Sequence, residues 1–122
     1  MLNKIAYGAL VAVFGMLIAS EPTRAGSLDG KYRPAGEEYS GWDCKNIGSD
    51  GGALAIEGNV IFGVESACTL NNPVNVNGMN AVLYDAQCAG EGYEWSERVM
   101  LMETDRGVYN ITDKFVAEWQ RC

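Results

Sequence analysis

The stretch Tyr93-Glu94-Trp95-Ser96-Glu97-Arg98-Val99-Met100-Leu101-Met102-Glu103 carries the clearest periodicity in the chain. Tyr93, Trp95, Val99 and Leu101 fall on one face at period two, and Glu94, Ser96, Arg98 and then Thr104 fall on the other. Such alternation predicts a half-buried β-strand. Met100 and Met102 interrupt the polar face, so the strand is expected to be buried on both sides near its end. Asp105-Arg106-Gly107 reads as a tight turn. Residues 108–112 follow as the returning strand, and Phe115, Ala117 and Trp119 alternate along a last one. A short helix is the alternative for that final segment, because 114–121 holds no strong breaker.

Upstream, Gly58-Asn59 separates the apolar runs 53–57 and 60–64, a hairpin signal. Residues 67–70 and 79–88 supply two more strands, and 30–33 an opening one. Seven or eight short strands at this spacing predict an all-β domain, a small antiparallel barrel or sandwich. Closure into a barrel protects the edges that an open sheet exposes. Phe62, Tyr84, Trp95 and Trp119 are expected inward, and with Met100 and Met102 they predict a filled interior. Two stretches read as loops: 35–52, rich in glycine around Cys44, and 71–80, which holds five asparagines, Pro73 and Gly78. Loops this long in a compact domain are uncommon and often functional.

Residues 1–25 read as a secretory signal peptide, leaving 26–122 as a single disulfide-stabilised β domain. Lys4 gives a positive start, 5–19 an apolar run, and Thr23-Arg24-Ala25 a small-residue cleavage site. As a helix the apolar run spans about 22 Å, short of the roughly 30 Å hydrocarbon core. That favours cleavage over a retained anchor, and no stable membrane insertion is expected afterwards. Export to the periplasm or beyond the cell brings Cys44, Cys68, Cys88 and Cys122 into oxidising surroundings, where two disulfides are expected. The pairing Cys44–Cys68 with Cys88–Cys122 is preferred, because each pair brackets a predicted hairpin. Cys68–Cys88 with Cys44–Cys122 is the alternative. In a domain this small each bridge contributes about 2–4 kcal/mol.

The leader holds Lys4, Arg24 and Glu21, so 7 of the 9 basic and 15 of the 16 acidic side chains remain beyond it, a formal charge of −8. Such a surface repels phosphate backbones, so no nucleic-acid partner is expected. Basic proteins or cations are favoured electrostatically, and the charge also serves solubility. The chain contains no histidine, which removes a Ser–His–Asp triad and the commonest zinc, copper and haem ligands. Ser49-Asp50-Gly51-Gly52 and Asp43 resemble pieces of a calcium loop, but the spaced ligand pattern is missing. No cofactor and no metal are expected. Glu91, Glu94 and Glu97 form an acidic cluster without sign of the cleft that a two-carboxylate glycosidase needs. No catalytic residue is therefore assigned, and the chain is not expected to be an enzyme.

The candidate binding residues are Tyr39, Trp42 and Asp43 in the first loop with Glu37 and Glu38 beside them, and Glu91 and Glu94 after Gly90 as further acidic groups. Tyr39 and Trp42 suit an amphipathic anchor of the kind found at binding hot spots. Trp42 tucked over a barrel end beside Cys44 is the other reading. Trp42-x-Cys44, Cys88-x-Gly90-Glu91-Gly92 and the terminal Arg121-Cys122 resemble features of small exported bacterial two-disulfide β-rich proteins of unassigned function. In size and charge the domain also resembles periplasmic lysozyme inhibitors built on small β-barrels. It lacks a matching reactive-loop motif and has more cysteines than is usual among those inhibitors, so no residue role is carried over. The expected function is a non-catalytic binding module, an inhibitor or adaptor of a basic periplasmic or cell-wall protein. The alternatives are an envelope protein binding a small apolar ligand inside the barrel, or a purely structural one.

Overall fold

The computed structural model describes residues 28–122. The leader expected over 1–25 lies outside the described residues. Eight strands run through the described chain: β1 Gly30–Pro34, β2 Leu54–Glu57, β3 Val60–Gly63, β4 Ser66–Asn75, β5 Ala81–Gly90, β6 Tyr93–Glu103, β7 Gly107–Thr112 and β8 Phe115–Arg121. Each pairs antiparallel with its neighbour in sequence, and β1 pairs with β8 through Tyr32 opposite Arg121 and Pro34 opposite Trp119. The result is a closed up-and-down barrel, which leaves the sheet no terminal strand. The sandwich alternative is thereby set aside. The final segment is a strand and not a helix.

Alternation decides what the barrel encloses. On β5 Val82, Tyr84, Ala86 and Cys88 are buried while Asp85 and Gln87 are exposed. On β6 Val99 and Leu101 are buried and Arg98 is exposed. With Tyr32, Leu54, Ile56, Ile61, Leu70, Val108 and Trp119 these side chains form one core. An apolar inside differs from the polar interior of barrels that span a bilayer. Among the described residues no helix is long and apolar enough to cross a membrane. Tyr32 and Trp119 meet with ring centroids 6.0 Å apart, and the Arg121 guanidinium stands 5.2 Å from the Tyr32 ring centroid. The Tyr32 hydroxyl donates to the Leu28 carbonyl, and burial pushes its phenol above the ordinary value against the pull of Arg121. These groups fill the end where β1 begins and β8 stops.

Two expectations about side-chain direction and one about a loop are corrected. Phe62 does not join the core: on β3 it is Ile61 that points in, opposite Ile56 and Cys68. Met100 and Met102 also face outward, because Val99 and Leu101 take the inward positions of β6. Met100 instead lies in an outward apolar row with Val74, Leu83, Ile111 and Val116 across β4 to β8. The first half of the loop expected over 71–80 is strand, and 76–80 form the turn. β4 continues to Asn75, and a register shift between Asn71 and Val74 absorbs Pro73, which has no N–H to give.

The disulfide pairing is corrected too. The bridges are Cys68–Cys88 and Cys44–Cys122. Cys68 on β4 and Cys88 on β5 are direct cross-strand partners with Cα atoms 4.0 Å apart. They flank the β4–β5 hairpin, so neither faces the cysteine that the bracketing argument assigned to it. Cys44–Cys122 ties the long loop after β1 to the end of β8, where the Cys122 N–H donates to the Lys31 carbonyl.

Candidate functional site

At the end where β8 begins, the core does not continue. Inward positions that are large deeper in the barrel become small or polar: Gly63, Ser66, Asn110, Thr112 and Ala117. They leave a cavity of about 270 Å³, floored by Val99, Ile61 and Trp119. Trp95 and Phe115 stand at its mouth, 37% and 64% exposed, against 7% for Trp119. The cause lies in the sequence. Gly63 offers no side chain, and Ala117 is the cross-strand partner of Asn110, so this stretch of wall contributes little bulk.

The register adds a side opening. β6 pairs with β5 from Tyr93 to Met102 but with β7 only over Met100 to Glu103. Tyr93 to Val99 therefore extend beyond the β7 ladder. Glu97 and Thr112 line both the inner cavity and a broader outer groove that runs over Leu83, Met100 and Ile111. The outer groove is the larger, about 580 Å³, but it is shallow and follows the outward apolar row. The inner cavity is the better-formed site, because its walls come from inward positions on five strands.

Glu97 is the one acidic residue lining that inner cavity. It sits on the inward face of β6 opposite Ala86, whose small side chain leaves it room. Its Oε2 lies 3.8 Å from Cys88 Sγ. That sulfur is oxidised and has no proton to donate. The sulfurs of Cys68 and Cys88 and the Glu97 carboxylate all lie within 4.8 Å of one another. Sulfurs joined to each other are not the thiolates a metal requires. Among the described residues Arg98 pairs with Asp85 on the outer face at 3.1 Å, and no basic group pairs with Glu97. Glu94 lies on the opposite face of β6, opposite Ala89. The acidic cluster Glu91, Glu94 and Glu97 is therefore divided between the hairpin turn, the outside and the lumen.

The residues singled out from sequence fall in two places. Glu37, Glu38 and Tyr39 form a short 3-10 helix, and Tyr39 meets Trp42 edge to face at 6.0 Å. Trp42 packs against the core, which leaves it little freedom as an anchor. Asp43 serves its own loop. One carboxylate oxygen accepts from the Lys45 and Asn46 N–H groups at 2.7 and 3.1 Å, and the other accepts from Asn46 Nδ2 at 3.0 Å. Those bonds, led by the one from Lys45, hold its carboxyl below the ordinary range. Gly52 fits here because a Cβ would lie 2.2 Å from the Asn46 carbonyl oxygen. Glu91 and Glu94 sit at the far hairpin between β5 and β6, flanking Tyr93, which is 75% exposed. No hydrogen bond, ion pair or ring contact joins the two groups.

Sequence reading passed over Glu97 as a lumen residue, although the signal was present: it shares parity with Trp95 and Val99. Asn110, Thr112 and Ser66 carried no such signal, since only closure of the barrel brings them to one mouth. Fold and site together define a small disulfide-bridged β-barrel with a half-open lumen. No family model, curated protein or solved structure matches the chain.

Proposed function

We propose that this protein is an exported, non-catalytic binding barrel that takes a small, largely apolar molecule into the mouth between β6 and the β7–β8 hairpin. The observation that carries this reading is the unfilled lumen. Eight-stranded barrels have interiors that side chains just fill, or that hold one small ligand, and here the filling stops at Val99, Ile61 and Trp119. Apolar and aromatic walls with a few convergent polar groups are the usual make-up of a small-molecule site. The two disulfides fit an oxidising compartment, and the leader expected from the sequence makes the periplasm or the cell exterior its destination.

The test uses a neutral apolar fluorophore, N-phenyl-1-naphthylamine, titrated into the oxidised protein. One dye is expected to bind per barrel, with quenching of tryptophan emission from Trp95 and Trp119. Ala117→Phe fills the cavity from within and should weaken binding by at least about tenfold, or about 1.4 kcal/mol. Dye binding that ignores this substitution would put the site elsewhere and end the reading.

A second reading, an adaptor or inhibitor that docks a basic protein, is favoured by one observation: the exposed Tyr93 between Glu91 and Glu94. An exposed aromatic ringed by charge suits a docking hot spot. Capture of a cell-wall hydrolase on the immobilised protein, released by a salt gradient, should vanish in the Glu91→Lys, Glu94→Lys double variant. Capture unchanged by that charge reversal would remove this reading.

A further inference from the structure

The geometry points to an organic cation as the ligand of the barrel mouth, an alkylammonium whose charge meets Glu97. This inference rests on the small-ligand reading above and specifies its chemistry. Glu97 is half-buried on an inward position, and its carboxylate lies 3.8 Å from a disulfide sulfur that cannot donate. Lys114, exposed in the turn between the mouth residues Thr112 and Phe115, makes no ion pair with Glu97. Arg98 pairs with Asp85 outside, and Arg121 stands over Tyr32 at the other end of the barrel. The carboxylate thus lines the lumen with no ion-pair partner among the described residues.

A neutral ligand entering the mouth strips water from that carboxylate and returns nothing, which costs free energy. An anion is repelled by Glu97 and by the formal charge of −8 outside the leader. An ammonium replaces the lost water with a charge-assisted hydrogen bond. The remaining walls suit the same guest. Trp95, Phe115 and Trp119 line the cavity, and aromatic faces attract cations while their bodies pack against an apolar stem. The stem reaches Val99 and Ile61, and the charge stays beside Glu97 nearer the mouth.

Two sources supply such a group, a free small amine or the lysine side chain of another protein. Both are tested in one series. The oxidised protein is titrated calorimetrically with n-hexylamine, 1-hexanol, hexanoate and doubly capped lysine at low salt and neutral pH. Hexylamine is expected to bind at least about tenfold tighter than hexanol, and hexanoate not at all. Glu97→Gln should remove the preference for hexylamine over hexanol and bind hexanol no more weakly than before, with unaltered near-ultraviolet circular dichroism as the check on folding. Capped lysine binding more tightly than hexylamine supports the inference and assigns the group to a protein, and weaker binding supports it with a free amine as the guest. Equal affinities for hexylamine and hexanol overturn the inference and leave the small-ligand reading intact. So does binding of the neutral fluorophore without binding of hexylamine. Failure of the fluorophore and of all four compounds overturns both.

Discussion

Asp43 shows how a residue that reads as functional in sequence is occupied by structure. An aspartate between tryptophan and cysteine in a glycine-rich loop invites a binding role, yet all three hydrogen bonds of its carboxylate close the turn from Asp43 to Asn46. Asx turns of this kind stabilise a loop through the ionised carboxylate. The folded value lies below the ordinary 3.8, chiefly through the Lys45 N–H and next through the Asn46 N–H. A depressed acid supports the fold above its unfolded value and stops doing so as pH falls through the folded one. The loop should therefore stay closed above pH about 4 and loosen below it. A carbon-detected titration of Asp43, with amide exchange at Lys45 and Asn46, reads both events. Asp43→Asn should speed that exchange at neutral pH and remove its acid dependence. Titration of Asp43 at 3.8 or higher would contradict this account.

Most strands were legible because each carries its own signal. The alternation of Tyr93–Glu103 matches β6 to the residue, and Gly58-Asn59 marks the β2–β3 turn, with Gly58 at φ +61 where a side chain is strained. What sequence could not reveal depends on neighbouring strands. β6 has apolar residues on both faces near its end, so alternation yields two faces without saying which one is enclosed. Val99 and Leu101 won that choice, and Met100 and Met102 went outside. The asparagines of β4 read as a loop because they disfavour strands locally. Their side chains reach solvent, and pairing with β5 holds the backbone regardless. The cysteines show the same limit. Cys68 opposite Cys88 follows from the β4–β5 register, which the bulge at Asn72 and Pro73 helps to set, and no spacing rule contains that register. The binding-site candidates fared likewise: the loop residues were chosen for their exposure, whereas the lumen residues are separated by tens of positions and meet only when β1 closes on β8.

At the scale of the molecule, the barrel is a filled core joined to an unfilled mouth, and the two halves make opposite demands. The filled half, from Tyr32 and Ile56 to Val82 and Leu101, is fully buried and gains the usual stabilisation of apolar burial. The mouth forgoes it, holding a carboxylate, an asparagine and a threonine at positions the alternation would otherwise give to aliphatic residues. Small domains have little stability in reserve, so such a concession is best explained by use, and sites of function are commonly less stable than a simple core at the same place. Glu97→Leu keeps a side chain of similar reach and extends the apolar surface of Val99 and Ala86 toward the mouth. It should stabilise the domain by about 1 kcal/mol, which raises the unfolding midpoint by about 4–8 °C in a domain of this size. The same substitution should abolish the preference for hexylamine over hexanol. Thermal unfolding of the oxidised protein, followed by circular dichroism, reads the first effect, and calorimetric titration reads the second. A lower midpoint would mean that Glu97 supports the fold itself, and the mouth would then owe its shape to packing and not to a ligand.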